Sequence, residues 1–493
     1  MIDAVAIYDK AQRRMKPFTL IAFVLLLIVV PLPSAEGKPN ILLILADDMG
    51  YGDLGFTGSQ HLKTPHLDEL AQTGVFCRQA YVPSSVCSPS RAGIMTGRDP
   101  RRFGYEGNLN KGDASYPTRP ELLGLPPGEH TLGDQLRVAG YATGLVGKWH
   151  LGIGDGFHPN ERGFDFFCGM LTGSHSYFPN EGKHKIERNG TPLTEFSSDY
   201  LTDFFTDEAL RWMEEQSNKE VPWFLFASYN APHGPMHATE DDLAHFTHIT
   251  DSKRRTYAAM MFALDRGIGR IRNWLRENGE LENTLIVFFS DNGAATSNAS
   301  WNGPLSGSKG TLKEGGIRIP MIWSWPEALT PGEVATPVSA LDLLPTFLSA
   351  AESDPLPLSK PLSHEDKNNR KRAVDQYGAY DGINLLPILR GNESSSAPRT
   401  LFWRLQGQAA VLDGEEKLIR PSHRPAQLFQ PGSDLGEMND LAATEKPRLE
   451  ELFRQLAEWE STLPTIPLWG SSPNWNRVSA SQYDELVPRE EPQ

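Results

Sequence analysis

Cysteine is scarce in this chain. Three cysteines in 493 residues are too few for a disulfide framework in a protein of this size. A basic excess is missing too: 47 Lys and Arg face 62 Asp and Glu, a formal net charge of −15. That balance excludes a general nucleic-acid or anionic-surface binder, because no basic field is available. Taken alone, it also argues against an anionic substrate. No internal repeat is visible. With 39% hydrophobic and 22% charged residues, what remains is the composition of an ordinary globular protein.

The one long apolar run lies at the N-terminus. Lys10, Arg13, Arg14 and Lys16 precede a stretch from Phe18 to Pro33, and Ala35-Glu36-Gly37 offers small residues at signal-peptidase spacing. The run is short for a stop-transfer helix of ~20 residues. Residues 1–37 are therefore expected to be a signal peptide, with an uncleaved anchor as the alternative. The mature chain is expected to be exported (periplasmic, secreted or lumenal), with no stable membrane span. Cys77 and Cys168 have aromatic and apolar neighbours and read as buried small residues, their pairing left open. Cys87 differs: it lies in Pro83-Ser84-Ser85-Val86-Cys87-Ser88-Pro89-Ser90-Arg91, a polar, turn-forming stretch.

From residue 39 to about 350 the pattern alternates strand and helix. Asn40 to Ala46, Tyr141 to Val146, Trp223 to Ala227 and Thr284 to Phe289 are apolar runs of strand length, as expected when both sheet faces are covered. Helical spacing runs from Tyr200 to Met213 and from Tyr257 to Leu275, and Thr64-Pro65 and Thr131 read as helix starts. The expected fold is α/β, a large mainly parallel (mixed) sheet sandwiched by helices. Residues 353–376 break the pattern as a linker or inserted loop. Short strands near 401–403, 409–412 and 417–419 and a helix from Lys446 to Ser461 then indicate a smaller C-terminal α+β subdomain with a short antiparallel sheet. The expected divisions are 38–352 catalytic, 377–462 C-terminal subdomain and 463–493 tail.

Polar residues gather just after the apolar runs: Asp47 and Asp48, Lys148 and His150, His233, and Asp291 and Asn292. Ligands of an open parallel sheet bind beyond the carboxyl ends of its strands. Three carboxylates and an amide oxygen are hard donors suited to Ca²⁺ or Mg²⁺, and three Asp packed together would repel without a cation. Arg91, Lys148, His150, His233 and Lys309 form the cationic set, Lys309 within the flexible Gly307-Ser308-Lys309-Gly310. Carboxylates outweighed by cationic side chains and a divalent ion describe a site for an oxyanion ester.

At these residues the chain resembles the formylglycine-dependent type I sulfatases of the alkaline phosphatase superfamily. Cys87-Ser88-Pro89-Ser90-Arg91, continuing to Thr96-Gly97-Arg98, resembles the first signature of that family, and Gly140 to Gly152 is similar to the second. The similarity runs from about Asn40 through Pro345 and again through the C-terminal unit, including Leu428-Phe429 and Gly436 to Leu441. The resemblance implies that Cys87 is oxidised to formylglycine (3-oxoalanine) by a maturation enzyme. It further implies that Asp47, Asp48, Asp291 and Asn292 bind one Ca²⁺ together with residue 87. A hydroxyl of the hydrated aldehyde would attack sulfur, assisted by Asp291. His233 would protonate the leaving alcohol, Lys309 would neutralise the sulfuryl oxygens, and His150 would take the second hydroxyl's proton. Arg91 and Lys148 would hold the diol oxygens. The implied activity is sulfate removal from a sulfated saccharide or aryl sulfate. Phosphoester or phosphonate hydrolysis, and a catalytically silent glycan binder with unmatured Cys87, are the alternatives.

Specificity is expected from loop-like residues 99–128 and 172–190, which carry Arg101, Arg102, Tyr105, His175, Tyr177, Phe178 and His184. Asn189, Asn298 and Asn392 stand in Asn-x-Ser/Thr triplets.

Overall fold

A computed structural model of the chain describes residues 37–109, 123–182, 184–219, 221–357, 380–392, 399–464, 482–483 and 490–492. Nearly all of the expected signal peptide, much of the expected linker and most of the tail lie outside the described residues. Among those described, no helix is long and apolar enough to cross a membrane.

The apolar run at the start of the mature sequence forms β1 (Asn40–Ala46), and its alternation explains the architecture. Ile41, Leu43 and Leu45 enter one core, while Leu42, Ile44 and Ala46 enter another on the opposite face. Burying each such side chain contributes about 1.5–3 kcal/mol, so the strand is held from both sides. The remaining strands of this sheet are β2 (Val75–Tyr81), β3 (Ala142–Lys148), β4 (Phe166–Met170), β5 (Glu187–Arg188), β6 (Thr191–Pro192), β7 (Trp223–Ser228), β8 (Thr284–Ser290), β9 (Arg318–Ser324), β10 (Gly332–Val334) and β11 (Val338–Ser339). The order is β10-β2-β9-β8-β1-β7-β3-β4-β5-β6, with β11 also pairing β2. The central strands β8, β1, β7, β3 and β4 are parallel, whereas β9 is antiparallel to both of its neighbours. The carboxyl ends of β1, β3, β7 and β8 therefore share one edge.

Helices cover both faces. α1 (Pro65–Thr73), α4 (Leu201–Ser217) and α5 (Ser252–Glu277) pack on the face of Leu42, and α2 (Cys87–Thr96) and α3 (Leu132–Val138) on that of Leu43. Asp265 of α5 caps α1, its carboxylate accepting from the backbone N–H groups of His66 (3.2 Å) and Leu67 (2.8 Å).

The second sheet, β12 (Thr400–Leu405), β13 (Gln408–Asp413), β14 (Glu416–Arg420) and β15 (Gln427–Phe429), is antiparallel throughout. Ala409, Val411 and Leu418 meet Leu452, Leu456 and Trp459 of α6 (Lys446–Ser461) across its apolar side. This sheet is tied to the first by Trp403, whose indole donates to Val82 O at 2.8 Å. A fully buried ion cluster adds to the tie: Lys417 Nζ bonds Glu314 at 2.7 Å and Glu437 at 2.9 Å. The expected large mixed sheet and small antiparallel one are both present.

One detail differs from the sequence reading, and one point left open is decided. The stretch expected to be turn-forming around Cys87 is helical from Cys87 onward, because Pro89 sits in the first turn, where a missing N–H costs nothing. Cys77 and Cys168 are free thiols buried in different cores, on opposite faces of the sheet, so they do not pair.

Candidate active site

Cys87 is the first residue of α2, and Arg91 stands one turn along it. Both are buried, as are Asp47, Asp48, Lys148, Asp291, Asn292 and Lys309. The edge formed by β1, β3, β7 and β8 supplies most of these groups. Two of the residues that leave the edge, Asp48 (φ +67°) and His150 (φ +62°), adopt the left-handed conformation. Few non-glycine residues adopt it, Asp and His more often than most.

The carboxylates are each matched to a cation. Asp47 Oδ2 accepts from Lys148 Nζ at 2.5 Å, and Arg91 Nη2 approaches the same oxygen at 4.0 Å. Asp48 accepts from Lys309 Nζ through both oxygens, at 2.6 and 2.8 Å. Asp291 Oδ2 accepts from Arg91 Nε at 2.8 Å. Asn292 Nδ2 donates to Asp48 Oδ1 at 2.8 Å, leaving Asn292 Oδ1 buried and unpartnered. The Cys87 sulfur sits among them, 3.0 Å from Lys309 Nζ, 3.5 Å from Asp47 Oδ1 and 3.7 Å from Asp48 Oδ1.

Charge sorts the carboxylates. Burial alone would raise the Asp47 carboxyl, but Lys148, then His233, Arg91 and Lys309, hold it well below its ordinary value. Asp48 is lowered in the same way, chiefly by Lys309 against burial. Asp291 goes the other way: burial, reinforced by Asp47, pushes it up to about 6 despite Arg91. Three carboxylates this close carry electrostatic stress that a hard cation would relieve.

The histidines face the same space. His233 Nδ1 lies 2.6 Å from Gly234 O, and Nε2 lies 3.5 Å from Asp48 Oδ2. Donation from Nδ1 to that carbonyl leaves Nε2 free for proton transfer. His150 is buried with Nδ1 unpartnered. Burial, then Lys148 and Arg91, push its imidazole well below its ordinary value, so it is neutral and able to accept a proton. Burial likewise lowers His233, although Asp47 and Asp48 pull upward. Cys87, His150 and His233 open onto a cavity of about 700 Å³. The sequence-predicted residues are thus brought together around one space. Asp47, Asp48, Cys87 and His233 each place one ligand atom within 4.8 Å of the others.

The loops named for specificity divide. His175 and His184 line the cavity. Arg101 is instead buried against Asp99 and the Pro83 carbonyl, Arg102 pairs with Asp381, and Tyr105 bonds Ser88 beneath the site. Tyr177 donates to the Asn230 and His233 carbonyls, and Phe178 stacks on His237. None of these five lines the cavity. Other contributors were not visible in the sequence. Asn298, fully buried and so no glycan acceptor in the folded chain, donates to the carbonyls of Asp48 (3.2 Å) and Pro232 (3.1 Å), joining two site loops. Gly173 leaves room for the His150 ring. The Asn-x-Ser triplet that contains Asn298 carries no sign of these contacts.

The Sulfatase family model matches residues 39–353. N-acetylgalactosamine-6-sulfatase of Mus musculus is 33% identical over 401 residues, covering 78% of this chain and 72% of that protein. Arylsulfatase A of Bos taurus is 31% identical over 473 residues, covering 88% and 85%. The crystal structure of Ps i-CgsB in complex with k-i-k-neocarrahexaose superposes with a TM-score of 0.79 at 34% identity, covering 91% of this chain and 99% of that one.

Proposed function

From the premise that this chain belongs to the sulfatase family and hydrolyses sulfate esters, we propose that it removes sulfate from a sulfated carbohydrate, using residue 87 as the centre of the reaction. Aryl sulfates are the alternative substrates. The observation that carries this reading is the position of Cys87. It begins a helix in the lining of the cavity, within 3.0–3.7 Å of Lys309, Asp47 and Asp48. As a plain thiol it is poorly suited to attack, because burial pushes its pKa well above the ordinary value. Conversion to formylglycine by a maturation enzyme would place an oxygen nucleophile there as the aldehyde hydrate.

Asp47, Asp48, Asp291, Asn292 and residue 87 would hold a Ca²⁺ ion. The three carboxylates and the buried, unpartnered Asn292 Oδ1 are oxygen donors that fit a hard cation. When bound, such an ion supplies positive charge to the sulfate oxygens and to the attacking oxygen. The chain's own groups do the rest. Arg91 and Lys148 would hold negative charge at position 87, and Asp291 would assist the attacking hydroxyl. Lys309 neutralises the sulfuryl oxygens. His233, its Nδ1–H donating to Gly234 O, would give a proton from Nε2 to the departing alcohol in its imidazolium form, which Asp47 and Asp48 favour against burial. Neutral His150 takes a proton from residue 87 as sulfate leaves. Preorganised charges of this kind are the largest catalytic term in many enzymes, each donor typically being worth ~10²–10³ in rate.

The divisions 38–352, 353–376, 377–462 and 463–493, and export through residues 1–37, belong to the same proposal. Its test is mass spectrometry of the peptide containing residue 87, followed by parallel assays on sulfate and phosphate esters. The expected results are a formylglycine mass, preference for sulfate esters and loss of turnover in a folded Cys87→Ala variant. Substantial turnover by Cys87→Ala would remove residue 87 from its role.

A further inference from the structure

Lys309 lies in a loop whose backbone is held mainly from outside the large sheet. Its own N–H donates to Ala294 O at 2.8 Å, and that of Gly310 donates to Ser85 O at 2.9 Å. Gly307 (φ +73°) and Gly310 (φ +89°) bracket the lysine, so the segment has little conformational preference of its own.

Asn302 Nδ2 donates to Gly307 O at 3.0 Å and to Gly315 O at 2.7 Å, and further grips come from the last quarter of the chain. Gln408, at the start of β13, donates from Nε2 to Gly310 O at 2.7 Å and accepts from Leu312 N–H through Oε1 at 3.2 Å. Its amide serves the loop as a neighbouring strand would. Tyr483 hydroxyl donates to the same Gln408 oxygen and accepts from Leu312 N–H at 3.1 Å. Gln482 Oε1 accepts from Ser308 Oγ at 2.5 Å. Glu437 Oε2 accepts from Ser306 Oγ at 2.7 Å and from Glu314 N–H at 2.9 Å. Gln408, Gln482, Tyr483 and Glu437 are all buried, so water does not compete for these bonds. The grips fall on both sides of the lysine: Ser306 and Ser308 before it, Gly310, Leu312 and Glu314 after it.

We propose that Gln408 and Gln482 are positioning residues for Lys309, so that the C-terminal unit and tail fix where the ammonium stands relative to residue 87 and Asp48. Neither residue is in the set that meets the reacting atoms, and each acts through the loop. The proposal rests on the reading of Lys309 as the group that neutralises the sulfuryl oxygens. A lysine has a long, rotamer-rich stem, so its aim depends on where its backbone is pinned. A displacement of ~1 Å in a catalytic group can cost ~10²-fold in rate.

The experiment uses the full-length matured enzyme with an activated aryl sulfate. Gln408→Glu keeps the size and the acceptor for Leu312 but sets an oxygen against Gly310 O. Its kcat should fall ~10- to 100-fold, with KM changed less than about twofold and the thermal midpoint close to wild type. Placed on Lys309→Ala, the same substitution should cost less than about twofold, because residues acting through one group are not additive. Gln482→Met, which removes the acceptor for Ser308, should show the same pattern more weakly, and it decides the matter if Gln408→Glu does not fold. An equal loss with and without Lys309, or wild-type kcat in a folded variant, overturns the proposal. Full turnover by Lys309→Ala alone would overturn the reading of Lys309 and the proposal with it.

Discussion

Replacing Gly173 with Ala places a methyl where the His150 ring lies. A Cβ there would stand 2.7 Å from the ring Cε1 and Nε2 and 3.2 Å from Cδ2. Carbon contacts are comfortable only from ~3.5 Å, so the ring must retreat by roughly 0.8 Å or the loop must move. Neither yields easily. His150 N–H is tied to Leu171 O at 3.2 Å, its carbonyl accepts from Ser88 Oγ at 2.8 Å, and its backbone already holds φ +62°. If His150 is the base that frees the product, a shift of this size should lower kcat ~10- to 100-fold, about 1.4–2.7 kcal/mol of barrier. Overpacking costs about 1–3 kcal/mol of stability. At ~2.1 cal/mol/K per residue, a chain of 493 residues loses only about 1 °C per kcal/mol. Initial rates on an aryl sulfate and a thermal melt of the same preparation separate the two effects. Wild-type kcat, or a melting loss above ~5 °C that accounts for the inactivity, would refute the reasoning.

Chelation with excess EGTA should abolish turnover, and Ca²⁺ should restore it while an equal concentration of Na⁺ does not; rates followed through one removal and re-addition cycle check this. Lys417→Met leaves Glu314 and Glu437 buried without their shared cation, a change that typically costs ~3–5 kcal/mol. Without Lys417, each carboxyl holds a proton more readily in the folded state, so stability is lost as pH rises. The melting gap to wild type should widen from pH 5 to pH 8, and a gap independent of pH would count against the ion cluster. Asp265 is pushed up to about 6 by burial, although two backbone N–H groups lower it. A raised carboxyl means stability present below the unfolded value near 3.8 and lost as pH rises through about 6, roughly 3 kcal/mol in all. The melting temperature of Asp265→Asn minus that of wild type should therefore increase between pH 4.5 and pH 7.

The strands at the heart of the sheet were legible because burial on both faces leaves uninterrupted apolar runs, as in Thr284 to Phe289. The polar residues at the end of each run then mark the site edge. Helix α2 was harder for the opposite reason. All ten of its residues are buried, so no polar face reveals a period, and Pro89 disguises its first turn. Strand β2 carries Arg78 and Gln79 at an irregularity in its pairing between Cys77 and Ala80. Residues such as Asn298, Gly173 and Gln408 gain their meaning only from distant partners. Gln408 meets the Lys309 loop from about a hundred positions away, and a linear pattern carries no trace of that.

The burial of Cys87, with 1% of its surface exposed, has a consequence in time. Its neighbour Lys309 follows it by 222 residues, which a ribosome adds in ~10–40 s at typical rates. During that interval Lys309 is not yet beside the thiol, and the sheet edge that will enclose it is unfinished. Under the proposed conversion of residue 87, a modifying enzyme would have a window that opens with synthesis and closes with folding. The ordering of residues along the chain keeps the thiol reachable first and sealed later.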